Sequence, residues 1–439
     1  MIKLKIEKLK NTGHGMRKEG AKEYLVLGAF PGDEILASPY KEINKKVYAK
    51  IHKILKASKE RISFPKEEPF FEDYAPWLFL NFSSENQTKN HFLQEAYPEA
   101  KRKETIFIPQ QERAYRNKSS YAFLERKRKL FFAQYTRKNG KVEKIIQREN
   151  ILIREEIRSI AKNLLNFLNE KKMKEKEIKY LIIRWSNTEK KAVAQILFTE
   201  KNRKKLKIKK REFEKILERE KQLKGILVSY SEAEQRRSFA QKHFYHLGDI
   251  VLTERLGENT YSYLPYHFFQ IYPEAFLEIL QDLYRELEKI PQRKRRRVFD
   301  LYAGIGLLGI HIAELVKEVY SFEQSPEANI YAEKNAKING IQNFFAWEKD
   351  VVQIENNFSK EDILIIDPPR SGMKKRLKEK ILKEKPKYIF YISCNLESQK
   401  NDYLFLEKKY QINFARTYNI FPRTPHFETL IVMERKTDD

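Results

Sequence analysis

In the last third of the chain, short apolar runs alternate with stretches whose apolar residues recur every three or four positions. The runs end at Asp300, Glu323, Asp367 and Cys394, and the stretch Leu308–Lys317 has helical spacing. This alternation predicts parallel strands joined by helices, the pattern of a doubly wound α/β sheet. Because ligands bind outside the carboxyl ends of such strands, we expect the four terminal residues to surround one cleft.

A glycine-rich turn follows the first of these runs. Gly304, Gly306 and Gly309 have the spacing G-x-G-x-x-G, which lets a ligand approach the backbone at the start of a helix. Glu323, at the end of the next strand, can accept both hydroxyl groups of a ribose. The motif predicts an adenosine-type cofactor, but NAD-dependent oxidoreductases and S-adenosylmethionine-dependent enzymes both fit it.

Cys394 is the chain's only cysteine. A single cysteine after an apolar strand is usually a small buried hydrophobic residue. Its polar neighbours Ser393 and Asn395 and its place at the predicted cleft favour a different interpretation, a thiolate that acts as a covalent nucleophile.

Several segments together resemble the S-adenosylmethionine-dependent RNA uracil-5-methyltransferases. They are Phe268–Gln270 (FFQ), Asp300–Gly306 (DLYAGIG), Glu323, Asp367–Arg370 (DPPR), Ser393–Asn395 (SCN) and Phe421–Glu428 (FPRTPHFE). These segments occur in the family's order, and weaker likeness extends to the N-terminus. The resemblance implies a class I (Rossmann-like) methyltransferase domain that transfers a methyl group from S-adenosylmethionine to C5 of a uridine in rRNA or tRNA.

The chemistry of this family explains why it needs a thiol and a base. C5 of uracil is a poor nucleophile until a thiolate adds to C6, and a base must then remove the C5 proton. The resemblance implies that Cys394 is the nucleophile and Glu428 the base. Without the resemblance, Glu428 would be interpreted as a solvated or ion-paired carboxylate.

The resemblance also implies binding residues. The cofactor contacts would be Gln270, Tyr302, Gly304, Glu323, Asp350 and Asp367, with Gln270 and Asp367 at the methionine end and Glu323 at the ribose. The RNA contacts would be Arg116, Asn117 and Lys118 in the segment AYRNKSSYAF, together with Arg370 and His426. Leu307 stands where the family often has asparagine, and Leu396 replaces the usual proline.

Many family members carry a four-cysteine iron–sulfur cluster in the region that corresponds to residues 59–110 and beyond. This region of the chain has no cysteine, so we expect no cluster. Aromatic packing should hold the segment instead, through Phe70, Phe71, Tyr74 and Trp77. The histidines show no metal-ligand spacing, so we also expect no catalytic metal.

Charge supports an RNA partner. The 439-residue chain has a net charge of +26, and a surface of this kind binds polyanions by releasing their counterions. The alternative is a generally lysine-rich composition without nucleic-acid binding. No apolar run approaches 18 residues and the start lacks an apolar signal core, so we expect a cytoplasmic protein with no membrane partner. We further expect no DNA partner and a monomer.

Short alternating runs at Leu4–Leu9, Tyr24–Phe30, Glu34–Ala37 and Lys46–Leu55 predict a small β-barrel of the oligonucleotide-binding or TRAM-like kind. A purely structural β-cap is the alternative. We therefore predict three domains: an RNA-binding barrel at 1–58, a central basic α+β RNA-binding domain at 59–258 and the methyltransferase domain at 259–439.

Two basic runs, Lys201–Arg211 and Arg293–Arg297, are candidates for RNA contact or are simply solvated surface. A non-catalytic RNA-binding or folding factor on a methyltransferase scaffold remains the alternative to an enzyme. The presence of both Cys394 and Glu428 argues against it.

Overall fold

The computed structural model describes residues 1–62, 74–138, 141–232, 240–292, 296–354 and 358–437. The chain forms two compact units, one from Met1–Glu112 with Glu274–Asp439 and the other from Arg113–Pro273. Within the described ranges, no helix is both long and apolar enough to cross a membrane.

A mixed sheet forms the N-terminal part of the first unit. Its strands are β1 (Ile2–Lys5), β2 (Lys8–Leu9), β3 (His14–Glu19), β4 (Lys22–Leu27), β5 (Glu34–Ile43) and β6 (Lys46–Lys56), in the order β1-β5-β6-β4-β3-β2. Leu4, Val26, Ile35 and Ala49 lie in its core. The predicted β-rich N-terminal region is therefore confirmed.

Strand β3 is absent from the predicted runs, and two glycines, Gly13 and Gly15, lie at its start. Gly13 does have a left-handed φ of 88°, but Gly15 lies in the strand. A Cβ at Gly15 would come within 2.4 Å of the Ala29 carbonyl oxygen, so close backbone packing explains this glycine.

Helix α1 (Phe82–Ala96) begins at Asn81, whose side chain accepts the Ser83 N–H at 2.9 Å. Leu93, Tyr97 and Ala100 lie in the same hydrophobic core as the C-terminal sheet. This packing places residues 74–112 in the first unit, whereas the predicted central domain at 59–258 includes them. The division into three domains otherwise stays a prediction.

Of the aromatic residues expected to hold this segment, Trp77 is fully buried. Its indole N–H donates to the Gly13 carbonyl at 3.0 Å. Tyr74 is half-buried. Phe70 and Phe71 lie outside the described residues.

The second unit is a sheet covered by helices. Its elements are β7 (Lys118–Arg126), β8 (Lys129–Lys138), β9 (Lys141–Ile146), α2 (Glu155–Glu170), β10 (Ile178–Ser186), β11 (Lys191–Phe198), α3 (Lys210–Arg219), β12 (Leu223–Tyr230), β13 (Lys242–Gly248), β14 (Leu252–Leu256) and β15 (Asn259–Tyr263). The main sheet has the order β13-β12-β11-β10-β7-β8-β9, and β14 pairs with β15. Ile157, Ile160 and Leu164 of α2 pack into its core at helical spacing.

The C-terminal sheet has the predicted doubly wound form. Its elements are α4 (Pro273–Glu288), β16 (Arg297–Leu301), α5 (Leu307–Ile312), β17 (Glu318–Glu323), α6 (Pro326–Ile338), β18 (Phe344–Glu348), β19 (Ile363–Ile366), α7 (Lys375–Glu384), β20 (Tyr388–Ser393), α8 (Leu396–Leu406), β21 (Tyr410–Tyr418) and β22 (Glu428–Arg435). The order is β18-β17-β16-β19-β20-β22-β21. Strands β16 to β20 are parallel, and β22 is antiparallel to β20.

The strand order reverses between β16 and β19, and this is where such sheets bind ligands. Because β22 is antiparallel to its neighbour, its first residues lie at the same edge as the carboxyl ends of the parallel strands. This edge therefore collects Asp300, Glu323, Asp367, Cys394 and Glu428.

Candidate active site

The glycine turn after β16 leaves its backbone open at one position. Tyr302, Gly304 and Gly306 have left-handed φ values of 64°, 56° and 83°. A Cβ on Gly304 would meet nothing within 4 Å, whereas one on Gly306 would lie 3.0 Å from Phe344. Gly304 is therefore the position where a ligand can reach the backbone.

Glu323 at the tip of β17 holds this turn in place. Its Oε2 accepts the Gly304 N–H at 3.1 Å, and its Oε1 accepts the Ser325 N–H at 2.8 Å. Each carboxylate oxygen keeps a further lone pair for a hydroxyl donor. The arrangement is compatible with the predicted ribose contact.

Asp300 lies underneath the turn and is fully buried. Its Oδ2 accepts the Gly309 N–H at 3.0 Å, and burial raises its pKa to about 7. A Cβ on Gly309 would come within 2.8 Å of that oxygen. Gly309 is therefore explained by close packing inside the protein.

Asp350, Tyr302 and Asp367 occupy the loops around the same edge. Asp350 accepts the Val352 N–H at 3.1 Å and pairs with Lys374 at 2.5 Å, which lowers the pKa of the carboxyl group. Burial raises the pKa of Tyr302 to about 12 and that of Asp367 to about 7. Their cofactor roles stay predictions.

Cys394 and Glu428 lie opposite each other at the ends of two adjacent strands. Ser393 on β20 pairs with Thr429 on β22, so the next residues along the two antiparallel strands, Cys394 and Glu428, are opposite neighbours. The Thr429 hydroxyl donates to Gln399 Oε1 on α8 at 2.7 Å and lies 3.2 Å from the Ser393 carbonyl oxygen. Glu428 is 6% exposed, and its Oε2 has no hydrogen-bond partner among the described residues.

The charges around this pair oppose ionisation. Burial, followed by the carboxylate of Glu428, raises the pKa of Cys394 to about 11, while Arg370 acts in the opposite direction. Burial and the nearby Asp367 raise the pKa of Glu428 well above its usual value. Glu428 can act as a base only in its ionised form. In that form, the raised pKa makes the carboxylate accept a proton more strongly.

The loop after Cys394 is held by its polar neighbours. The Asn395 amide donates to the Arg370 carbonyl at 2.8 Å and accepts the Glu397 N–H at the start of α8. Arg370 itself is exposed, and His426 is exposed on the loop before β22. Both are accessible, but their predicted RNA contacts stay untested.

A buried ionic network that the sequence did not reveal anchors the loop before Glu428. Lys89 and Glu85 of α1 are fully buried, and Lys89 Nζ lies 2.7 Å from Glu85 Oε1 and 2.6 Å from Asn419 Oδ1. Glu85 also accepts the Arg423 N–H at 3.0 Å. A sequence signal existed, the i, i+4 spacing of Glu85 and Lys89, but such pairs are commonly solvated.

The remaining predicted residues belong to the second unit. Asn117 is fully buried, and its side chain donates to the Gln270 carbonyl at 3.2 Å, while its N–H donates to Ile271 at 2.9 Å. This geometry favours positioning of the Gln270 segment over the RNA contact predicted for Asn117. Arg116 is half-buried beside the Tyr115 ring, and Lys118 lies on β7.

The two basic runs, predicted to be either RNA contacts or solvated surface, differ in whether their charges are paired within the protein. Arg296 pairs with Glu361 at 2.7 Å and Arg297 pairs with Asp362 at 2.7 Å, so both guanidinium groups are engaged within the protein. Residues 293–295 of that run lie outside the described residues. The lysines of 201–210 are exposed. In the described part of the chain, no cluster of His, Cys, Asp and Glu could hold a metal ion.

Comparisons with known proteins show the family to which the chain belongs. The family described as tRNA (Uracil-5-)-methyltransferase matches residues 81–436. Uncharacterized RNA methyltransferases of Fusobacterium nucleatum and Bacillus cereus are 29% and 27% identical to the chain; the alignments cover 99% and 98% of it and 96% of each relative.

The fold is similar to that of the Pyrococcus abyssi tRNA (uracil-54, C5)-methyltransferase in complex with S-adenosyl-L-homocysteine. The TM-score is 0.77 at 22% identity, over 98% of this chain and 100% of that one. Fold and site together define an S-adenosylmethionine-dependent RNA methyltransferase. The chain belongs to the tRNA (uracil-5-)-methyltransferase family.

Proposed function

We propose that the enzyme methylates C5 of a uridine in structured RNA, tRNA or rRNA, through a covalent bond between Cys394 Sγ and C6 of the base. The observation that carries this proposal is the register of β20 and β22, which makes Cys394 and Glu428 opposite neighbours at the ligand-binding edge of the sheet. A thiol and a base are the two protein groups that the reaction needs.

The cofactor-binding residues fit S-adenosylmethionine. Gly304 offers open backbone, and Glu323 retains lone pairs for ribose hydroxyls. Asp367, with a pKa raised to about 7, would be held in its charged form by a neighbouring ammonium group. When bound, S-adenosylmethionine supplies a methyl group on a sulfonium. Tyr302, Asp350 and, in the second unit, Gln270 are further proposed cofactor contacts.

The protein side of the reaction has two steps. Cys394 loses its proton to water, and its sulfur adds to C6, so the C5=C6 electron pair moves into an enolate on the uracil ring. C5 would then form a bond to the methyl group that bound S-adenosylmethionine supplies, and the electron pair of the broken carbon–sulfur bond would stay on that sulfur. Glu428 next accepts the C5 proton, the C5=C6 bond re-forms, and the sulfur–C6 bond breaks to release the thiolate.

Methyl transfer from radiolabelled S-adenosylmethionine to unmodified tRNA and rRNA transcripts tests this function. We expect label in 5-methyluridine of one RNA, loss of turnover in Cys394→Ala, and a decrease of about 10²–10⁴-fold in Glu428→Gln. Because Glu428→Gln cannot remove the C5 proton, it should accumulate a denaturation-resistant protein–RNA complex that contains the methyl group.

The double variant, the single variant Cys394→Ala and the intact enzyme together distinguish the covalent mechanism from its alternatives. The double variant Cys394→Ala/Glu428→Gln should form no such complex. Label transferred by Cys394→Ala at the normal rate would contradict the covalent mechanism. RNA binding without any methyl transfer by the intact enzyme would instead support the non-catalytic RNA-binding factor.

A further inference from the structure

Two cations face each other inside the central sheet of the second unit. Lys118 on β7 and Arg184 on β10 are register partners in an antiparallel pair. Like charges at directly opposite positions destabilise a sheet. Arg184 is only 1% exposed, whereas the Lys118 side chain remains partly accessible.

The Arg184 guanidinium makes fewer hydrogen bonds than a buried charge normally makes, and the Tyr263 side chain is its main polar neighbour. Its Nη2 donates weakly to the Phe269 carbonyl at 3.4 Å, and the Tyr263 ring lies 5.4 Å away. Its Nε and Nη1 have no hydrogen-bond partner within the described ranges. A buried cation in this condition is costly unless another group completes its contacts.

Tyr263 and, more weakly, Glu254 attract the Arg184 charge. The Glu254 oxygens also accept the N–H groups of Asn187 and Thr188 at 3.0 Å and the Thr188 hydroxyl at 2.9 Å. Among the described residues, Lys118 has no ion-pair partner.

The pKa values of Lys118 and His267, which lie near Arg184, reflect the same excess of positive charge. Burial, and secondarily Arg184, lowers the pKa of Lys118 to about 7 and that of His267 to about 4. The wider surroundings are also basic: residues 113–273 contain 39 Lys and Arg against 19 Asp and Glu, a net +20 of the chain's +26.

We propose that one phosphate group of the RNA substrate binds between Lys118 and Arg184. This rests on the proposed function, because it requires RNA as the substrate. A phosphate oxygen can accept from the Lys118 ammonium and from the free N–H groups of Arg184, and charge-assisted bonds of this kind are the strong ones. The anion would relieve the repulsion and complete the contacts of the buried guanidinium.

The variant Lys118→Met should combine a higher melting temperature with weaker RNA binding. A purely structural role of Lys118 would not give this combination. In the free enzyme it removes the repulsion, so we expect the melting temperature to rise by about 2–4 °C. The same variant should bind a fluorescein-labelled unmodified tRNA transcript about tenfold more weakly. Between about 50 and 300 mM KCl, its slope of log affinity against log salt should decrease by about 0.9, the value for one phosphate.

Three further variants complete the test. Lys129→Met, at an exposed position on β8, should leave the melting temperature unchanged. Arg184→Lys should retain most RNA affinity, because it keeps a cation. The double variant Lys118→Met/Arg184→Met should reduce the salt slope no further than Lys118→Met alone, because both groups bind one phosphate.

Unchanged RNA affinity and salt slope in Lys118→Met would overturn the proposal. The binding measurement needs no methyl transfer. A failure of the proposed reaction therefore remains distinguishable from a failure of this inference.

Discussion

At Cys394, burial and the nearby carboxylates both raise the pKa of the thiol. The half-buried thiol faces the carboxylates of Glu428 and Asp367, and its pKa rises to about 11. The resting enzyme therefore keeps a neutral thiol at physiological pH, which protects it from unwanted alkylation and oxidation. Arg370 is the neighbouring cation that lowers this pKa, so the approach of a substrate that reorders Arg370 would change the thiolate fraction.

This predicts slow, strongly pH-dependent alkylation of the free enzyme. With a pKa near 11, about one thiol in a thousand is ionised at pH 8, and the rate with iodoacetamide should rise about tenfold per pH unit towards pH 11. Intact-mass measurement reports on Cys394 alone, because the chain has no other cysteine. Glu428→Gln removes a negative neighbour and should accelerate alkylation at alkaline pH.

The urea-unfolded chain provides the reference for this experiment. Its thiol should titrate near pH 8.5, so it should react about a hundredfold faster than the folded enzyme at pH 8. Equal rates for folded and unfolded protein at that pH would contradict the raised pKa.

At the scale of elements, α1 secures the loop that leads to Glu428. The helix contributes the buried pair Glu85 and Lys89, and its Phe92 ring stacks on Phe427 with centroids 6.3 Å apart. Asn419 and the backbone of Arg423 complete the network on the loop side. The network therefore fixes the segment immediately before the proposed base.

Removal of one ion from this network should destabilise the protein. Lys89→Met removes the closer of the two cations beside the buried Glu85 carboxylate and leaves only the Arg423 guanidinium, whose Nη1 lies 3.9 Å from Glu85 Oε2. The loss should therefore approach the value of about 3–5 kcal/mol that is typical of a broken buried ion pair. The urea midpoint measures this loss. Because the loop before Glu428 would also shift, we expect kcat to fall more than KM rises. Lys375→Met on α7, which removes an exposed i, i+4 pair with Glu379, should change stability by less than about 1 kcal/mol.

The double variant Glu85→Gln/Lys89→Met distinguishes the loss of charge pairing from the loss of packing. It should recover part of the lost stability, because the buried carboxylate that lost its closest cation is also removed, while Arg423 still pairs with Glu112. A Lys89→Met enzyme with the stability and kcat of the unchanged protein would show that the network has no anchoring role.

The sequence predicted elements well where hydrophobic pattern alone determines them. The buried strands predicted to end at Asp300, Glu323, Asp367 and Cys394 are all present. The hydrophobic pattern could not predict that Cys394 lies opposite Glu428, because this depends on the register in which β22 pairs with β20. Likewise, the Glu85 and Lys89 spacing is the same on a solvated helix as in this core.

At the scale of the whole molecule, the positive charge is concentrated in one unit. Residues 113–273 carry a net +20 and the remaining residues a net +6, although the second set is the longer. A lysine-rich composition without function would distribute the excess evenly along the chain. The asymmetry favours the second unit as the main source of RNA affinity.

The asymmetry predicts that equal charge removal has unequal effects in the two units. Replacement of the exposed Lys204, Lys205 and Lys207 by Gln should reduce the slope of log RNA affinity against log salt by about 1–3. Replacement of three exposed lysines of the first unit, Lys375, Lys383 and Lys408, removes the same net charge and should leave that slope nearly unchanged. Fluorescence anisotropy with a labelled tRNA transcript over a KCl series measures both. Equal changes for the two triple variants would mean that net charge alone, and not its position in the second unit, attracts the RNA.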